Sequence, residues 1–249
     1  MAWVETHSGS FSARHESSQD AEARAVLRSL EDFRSRLTGL FESVPDDVAV
    51  VLHPRSYALT LAHPWLPLAR MAAAPASRRY FAGWFTEREI HVLSPPALER
   101  RASNVPGSRE ALLLSPEHGY AHVVLGANNS ELPPPFSVAS FRRYVAWAWL
   151  CEGAATHFSG QARHLRAAIV RRLREGGRPE FPPSTSDARL LGGTLFAMLE
   201  REAGRTAAVY LATSPLDRGP RALLNDAFER PAVAVERDWR DYLADLTSA

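Results

Sequence analysis

The feature that most constrains this chain is a change of texture at Ser108. Before it, apolar runs are short: Asp47 to Leu52 (DVAVVL) and Glu89 to Leu93 (EIHVL) read as buried strands, and weak alternation predicts a short strand around Gly9 to His15. The exception is Gln19 to Phe41, where Ala23, Val26, Leu27, Leu30, Phe33, Leu37 and Leu40 recur at helical spacing and predict an amphipathic helix. Tyr57 to Ala74 predicts a helix bent at Pro64 and Pro67, because proline cannot donate to the helix ladder. After Ser108 helical periodicity continues almost without interruption, broken by Pro- and Gly-rich stretches at Leu132 to Pro135, Gly176 to Ser186 and Asp217 to Pro220. Phe136 to Gln161 predicts one long helix, which Ala162 to Glu175 extends. Asp187 to Ala203 predicts another, and Val235 to Leu246 an aromatic closing helix. Strands first and helices after define the α+β class, with an N-terminal mixed sheet followed by a mainly helical C-terminal lobe. The 249 residues fit a single domain with a sizeable core, divided into lobes 1–130 and 131–249.

Composition narrows the partners. With 29 basic and 28 acidic residues the formal charge is +1, too small a field to argue for nucleic acid or an anionic membrane. The first residues lack a basic segment followed by an apolar run, and no stretch of about 18 apolar residues exists to span a bilayer, so cytoplasm is the expected location. A single cysteine, Cys151, fits a reducing compartment and rules out both an internal disulfide and a multi-cysteine zinc site.

Two histidines carry the first chemical signal. His118 and His122 lie four apart in EHGYAH, which on a helix places both imidazoles on one face, where each can offer a nitrogen to one ion. The same spacing also suits a pair of structural histidines. Thirty positions on, Glu152 interrupts the apolar stretch WLCEGAA. A carboxylate buried without a partner costs several kcal/mol, so Glu152 needs a cation, a donor or water. A metal ion supplies the cation; a surface glutamate at a bend made by Gly153 is the other reading.

At this point the sequence resembles a family. Gluzincin, or thermolysin-like, zinc peptidases carry HExxH on one helix and a third ligand on a later helix, commonly in a stretch like W-x-x-E-G-x-A, here Trp149 to Ala155. The order of the remaining elements is similar too, including the strand region Ala82 to Leu93 and the late GGTLF segment, Gly192 to Phe196. The resemblance implies a zincin-like fold, His118, His122 and Glu152 as zinc ligands, and a peptide or protein in the cleft. In that family the glutamate after the first histidine is the general base. Here the position is Gly119, which has no group for the task.

Glu117 lies about 200° around the helix from the missing base and is expected to point away from the metal. Ser115-Pro116-Glu117 reads as a helix start, with Ser115 as the cap; a longer helix from Ser108, kinked at Pro116, is the alternative. Since glycine weakens a helix by roughly 0.5–1 kcal/mol, glutamate at position 119 is expected to be tolerated. His157 is expected to be a core or surface residue, Cys151 an inert thiol, and Arg171 to Arg178 a solvated helix end. Tyr120, Tyr144 and Tyr210 are phenols that sequence alone does not place. Three functional readings follow: a zinc-binding pseudopeptidase, an active zinc-dependent hydrolase using another base, and a metal-free structural or interaction domain.

Overall fold

The computed structural model describes every residue except Met1, Trp65 and Ala249. The strand signals converge on one five-stranded mixed sheet, formed by β1 (Trp3–His7), β2 (Phe11–Glu16), β3 (Val48–His53), β4 (Gly83–Phe85) and β5 (Glu89–Leu93) in the order β1-β2-β3-β5-β4. The central pairs β2–β3 and β3–β5 are parallel, while the outer pairs β1–β2 and β5–β4 are antiparallel. Val50 sits beside Ile90 and Leu52 beside Val92 in register, and all four side chains are buried on one face. That alternation is the period of two expected for a sheet with a covered side.

Between the strands run α1 (Asp20–Thr38), α2 (Ser56–Ala62) and α3 (Leu66–Ala72). The apolar stripe of α1, from Ala23 to Leu37, is buried as its spacing predicts. The Tyr57–Ala74 segment is split into α2 and α3 on either side of Pro64, with Pro67 inside the first turn of α3. β1 was not legible from sequence. It is an exposed edge strand with only Thr6 buried, so it carries little of the alternation that marks strands.

After β5 the chain is helical, with α4 (Pro95–Arg101), α5 (Ser108–Leu113), α6 (Ser115–Asn128), α7 (Val138–Ala146), α8 (Ala148–Phe158), α9 (Arg166–Arg174), α10 (Ala188–Ala203), α11 (Arg205–Thr213), α12 (Pro220–Ala227) and α13 (Ala232–Ser248). The class is therefore α+β, as the texture change predicts. One buried apolar core joins the two halves, including Ile90 of the sheet, Leu125 of α6, Leu150 of α8 and Leu191 of α10. No helix among the described residues is long and apolar enough to cross a membrane.

Two helix boundaries differ from expectation. The long helix over Phe136–Gln161 is broken at Trp147, which leaves helical geometry at φ −115°, ψ 21°. The break turns α7 so that Tyr144 meets Glu152, eight residues on; in a straight helix they would be about 12 Å apart along the axis. The extension over Ala162–Glu175 is a separate helix, because Gly160 at φ +81° ends α8 and a 3-10 turn precedes α9.

Candidate metal centre

The two histidines stand on α6, which packs against the β4–β5 edge of the sheet. Its start matches neither expectation fully: a separate helix, α5, precedes it, and α6 begins afresh at Ser115 with Leu114 at the cap position. Helical residues begin at Ser108, break at Leu114 and resume with Pro116 in the first turn, where its missing N–H costs nothing. Ser115 does not cap the helix; its hydroxyl donates back to the Leu112 carbonyl at 2.6 Å.

Glu152 comes from α8, and the sequence explains how α8 reaches α6. Helix α10 packs closely on α8 through glycines: a β-carbon on Gly153 would lie 2.6 Å from the Gly192 carbonyl carbon, and one on Gly192 would lie 2.5 Å from the Trp149 oxygen. Only glycine at both positions lets the two backbones approach this closely. The glycines of WLCEGAA and of GGTLF are thus one packing device, which fixes Glu152 between α6 and α10.

The result is a buried group of three donors. His118 Nε2 lies 3.4 Å from Glu152 Oε2, His122 Nε2 lies 3.4 Å from Glu152 Oε1, and the two Nε2 atoms are 3.0 Å apart. Ligand atoms about 2.0–2.2 Å from a tetrahedral ion would be spaced by about 3.3–3.6 Å. His118, His122 and Glu152 could therefore hold a metal ion with small movements, the histidine pair opening slightly. The donor set, two imidazoles and a carboxylate, suits a borderline cation.

Protonation states favour the same use. Burial, then the charge of Arg189, pushes His118 well below the usual histidine range; burial also lowers His122, against the opposing pull of Glu152. Burial alone would raise Glu152, but Arg189, and after it His122 and His118, hold the carboxyl well below its usual range. At neutral pH the group therefore presents two neutral rings and one carboxylate, the forms that ligate metals. Phe85 of β4 stacks on His122 with ring centres 4.0 Å apart and fixes that ring's plane. The Nδ1 of His118 is buried and makes no hydrogen bond of normal geometry, although the Ala155 backbone interacts with the ring as an acceptor.

Glu152 also has two partners that the sequence reading did not supply. The Tyr144 hydroxyl donates to Oε1 at 2.6 Å, and Arg189 Nη1 donates to Oε2 at 2.8 Å. Arg189 stands at the start of α10 and is itself buried. A signal was present: a charged residue inside the apolar run ARLLGGTLFAML is as anomalous as Glu152 in WLCEGAA. Tyr144 alone of the three candidate phenols reaches the group. Tyr120 donates to the Pro45 carbonyl at 2.5 Å, and Tyr210 is exposed.

Position 119 is closed as well as empty of function. A β-carbon there would sit 2.7 Å from Ile90 Cγ2, a methyl group of β5 inside the core. The expectation that glutamate fits at 119 is thus corrected: helix propensity favours it, but the sheet occupies the space. Glu117 lies away from the group, its Oε1 accepting from Ser29 of α1, and burial raises it above the usual carboxylate range.

The remaining candidates are structural. His157 pairs with Glu200 of α10 at 2.7 Å, and Cys151 is a buried thiol whose proton is held more firmly than usual, first by burial. Within Arg171 to Arg178, Arg172 is no solvated end, since it clamps the buried Asp187 through two hydrogen bonds of 2.5 and 2.8 Å. No family model, curated protein or solved structure matches the chain.

Proposed function

We propose that the chain is a gluzincin-like pseudopeptidase: a zincin-like scaffold that holds zinc through His118, His122 and Glu152, hydrolyses peptides weakly or not at all, and uses its cleft to hold a peptide or protein. The observation that carries this reading is the contrast between a retained donor triad and a base position filled by the sheet. Zinc bound there would supply a Lewis acid.

Among the described residues, those around the triad offer no general base. Phe85 is apolar, Arg189 is a cation, and Tyr144 keeps its proton far above neutral pH, because burial and then the neighbouring Glu152 oppose a second anion. Glu117, bound to Ser29, is turned away. Tyr144 and Arg189 instead hold the Glu152 carboxylate in place. Exposed apolar side chains support a binding role: Val138, Phe141 and Val145 project from α7, the helix that carries Tyr144, and Leu61 and Met71 from α2 and α3.

One observation favours the metal-free reading. Glu152 already has a counter-ion in Arg189, so its burial does not by itself require a metal. Zinc titration of wild type and of His118→Ala, run beside cleavage of a mixed peptide library, decides among the readings. The proposal expects one zinc per chain in wild type, none at this site in the variant, and no zinc-dependent cleavage. Zinc-dependent turnover by wild type would make it an active hydrolase, and absence of binding would make it an interaction domain.

A further inference from the structure

The negative charge of Glu152 has one cation already built against it. Arg189 Nη1 sits 2.8 Å from Oε2, the same oxygen that faces His118 Nε2 at 3.4 Å, so Arg189 and an ion in the triad would share that atom. The guanidinium cannot swing out to solvent. Its Nη2 donates to the Tyr80 carbonyl at 2.9 Å, its carbon lies over the Phe81 ring at 5.6 Å, and the side chain is only 5% exposed. Its Nε is buried without a partner, which is a poor arrangement for an arginine placed only to satisfy itself. The other carboxylate oxygen takes the Tyr144 hydroxyl, and one histidine Nε2 donates to the other. Every polar atom of the triad that faces its centre is thereby satisfied with no ion present.

We propose that Arg189 is a resident counter-ion for Glu152 that is interchangeable with the metal: it keeps the triad assembled when metal-free and lowers the triad's affinity for a divalent cation. The inference rests on the reading of the triad as a metal site and adds what regulates it. Two cations sharing one carboxylate in a dry interior repel strongly, and the repulsion is relieved only by removing one of them. The site would then bind metal weakly enough to lose it without unfolding, unlike structural zinc centres, whose binding energy is folding energy. An arginine that merely aims Glu152 at the metal would act with the opposite sign, since its removal would loosen the ligand.

The test is zinc affinity by chelator competition, with thermal melts in EDTA and in zinc, for wild type, Arg189→Met and Arg189→Met/His118→Ala. Wild type is expected to melt at nearly the same temperature in EDTA and in a low zinc concentration. Arg189→Met is expected to bind zinc about ten-fold or more tightly than wild type. It should also melt lower in EDTA and recover in zinc, and adding His118→Ala should abolish both gains. Should Arg189→Met fold only when refolded with zinc, the exchange of one cation for another is shown directly. Equal or weaker zinc affinity in Arg189→Met overturns the inference and leaves the metal site standing, as does a variant that melts no lower than wild type in EDTA. If neither wild type nor Arg189→Met binds zinc, the metal-site reading fails and the inference falls with it.

Discussion

Gly119 sets two physical effects against each other, and their magnitudes decide the outcome of adding a single β-carbon. Gly119→Ala gains about 0.5–1 kcal/mol of helix stability through reduced freedom in the unfolded chain. Against this, the new carbon would lie 2.7 Å from Ile90 Cγ2, and Ile90 is 1% exposed in a packed core with nowhere to retreat. Overpacking of this kind costs about 1–3 kcal/mol, so the net should be a loss of up to about 2.5 kcal/mol. For a chain of this size that is a fall in Tm of up to roughly 10 °C. Ile90→Ala costs about 2–5 kcal/mol alone but empties the space. On that background Gly119→Ala should stabilise by up to about 1 kcal/mol, reversing its sign. Thermal and urea denaturation of the four proteins in EDTA measure this cycle. Stabilisation by Gly119→Ala with Ile90 in place, or the same effect on both backgrounds, would refute the claim that the sheet closes position 119. The same reasoning governs Gly119→Glu, which should fold well only with Ile90→Ala. If the cleft lacks only its base, that double variant should gain peptide hydrolysis of about 10²–10⁴-fold with zinc retained.

Other consequences are simpler to read. Gly192→Ala should destabilise by about 2–4 kcal/mol in thermal melts, since its β-carbon would press 2.5 Å from the Trp149 oxygen; a neutral effect would refute the glycine-mediated crossing of α8 and α10. Tyr144→Phe should cost about 1.5–3 kcal/mol by urea denaturation, because it removes a 2.6 Å hydrogen bond to a buried charge; no loss would mean the bond is not formed in solution. Stability should also fall with acid. Burial, with His91 nearby, holds His53 and His63 at about 4, and burial lowers His118 and His122, so each ring refuses a proton that the unfolded chain accepts. These groups have depressed folded values. Their contribution is full above about pH 6.5 and is lost as pH falls from there toward the folded values, with half-exposed His63 counting least. Urea midpoints in EDTA should drop between about pH 7 and about pH 5, and constant midpoints would contradict the sign.

Much of the fold was legible because its elements carry strong periods. The α1 stripe, the buried β3 and β5 runs and the α10 segment follow from spacing alone. The exposed edge strand β1 and the breaks at Trp147 and Gly160 did not, since each depends on what the neighbouring chain offers and not on local preference. At the site, His118, His122 and Glu152 stood out by spacing and by a charge placed among apolar residues. Arg189 broke the same rule in its own helix, and a buried charge found in sequence is a reason to search for its opposite. The closure of position 119 by Ile90 was invisible, because it is a distance between a helix and a strand 29 residues earlier in the chain.

The central claim is that His118, His122 and Glu152 bind one zinc ion together. Anomalous diffraction at the zinc edge, from crystals grown with zinc, tests it most directly. The account predicts one strong peak about 2.0–2.2 Å from His118 Nε2, His122 Nε2 and a Glu152 carboxylate oxygen. The absence of a peak there at saturating zinc, or a peak held by other residues alone, would contradict it.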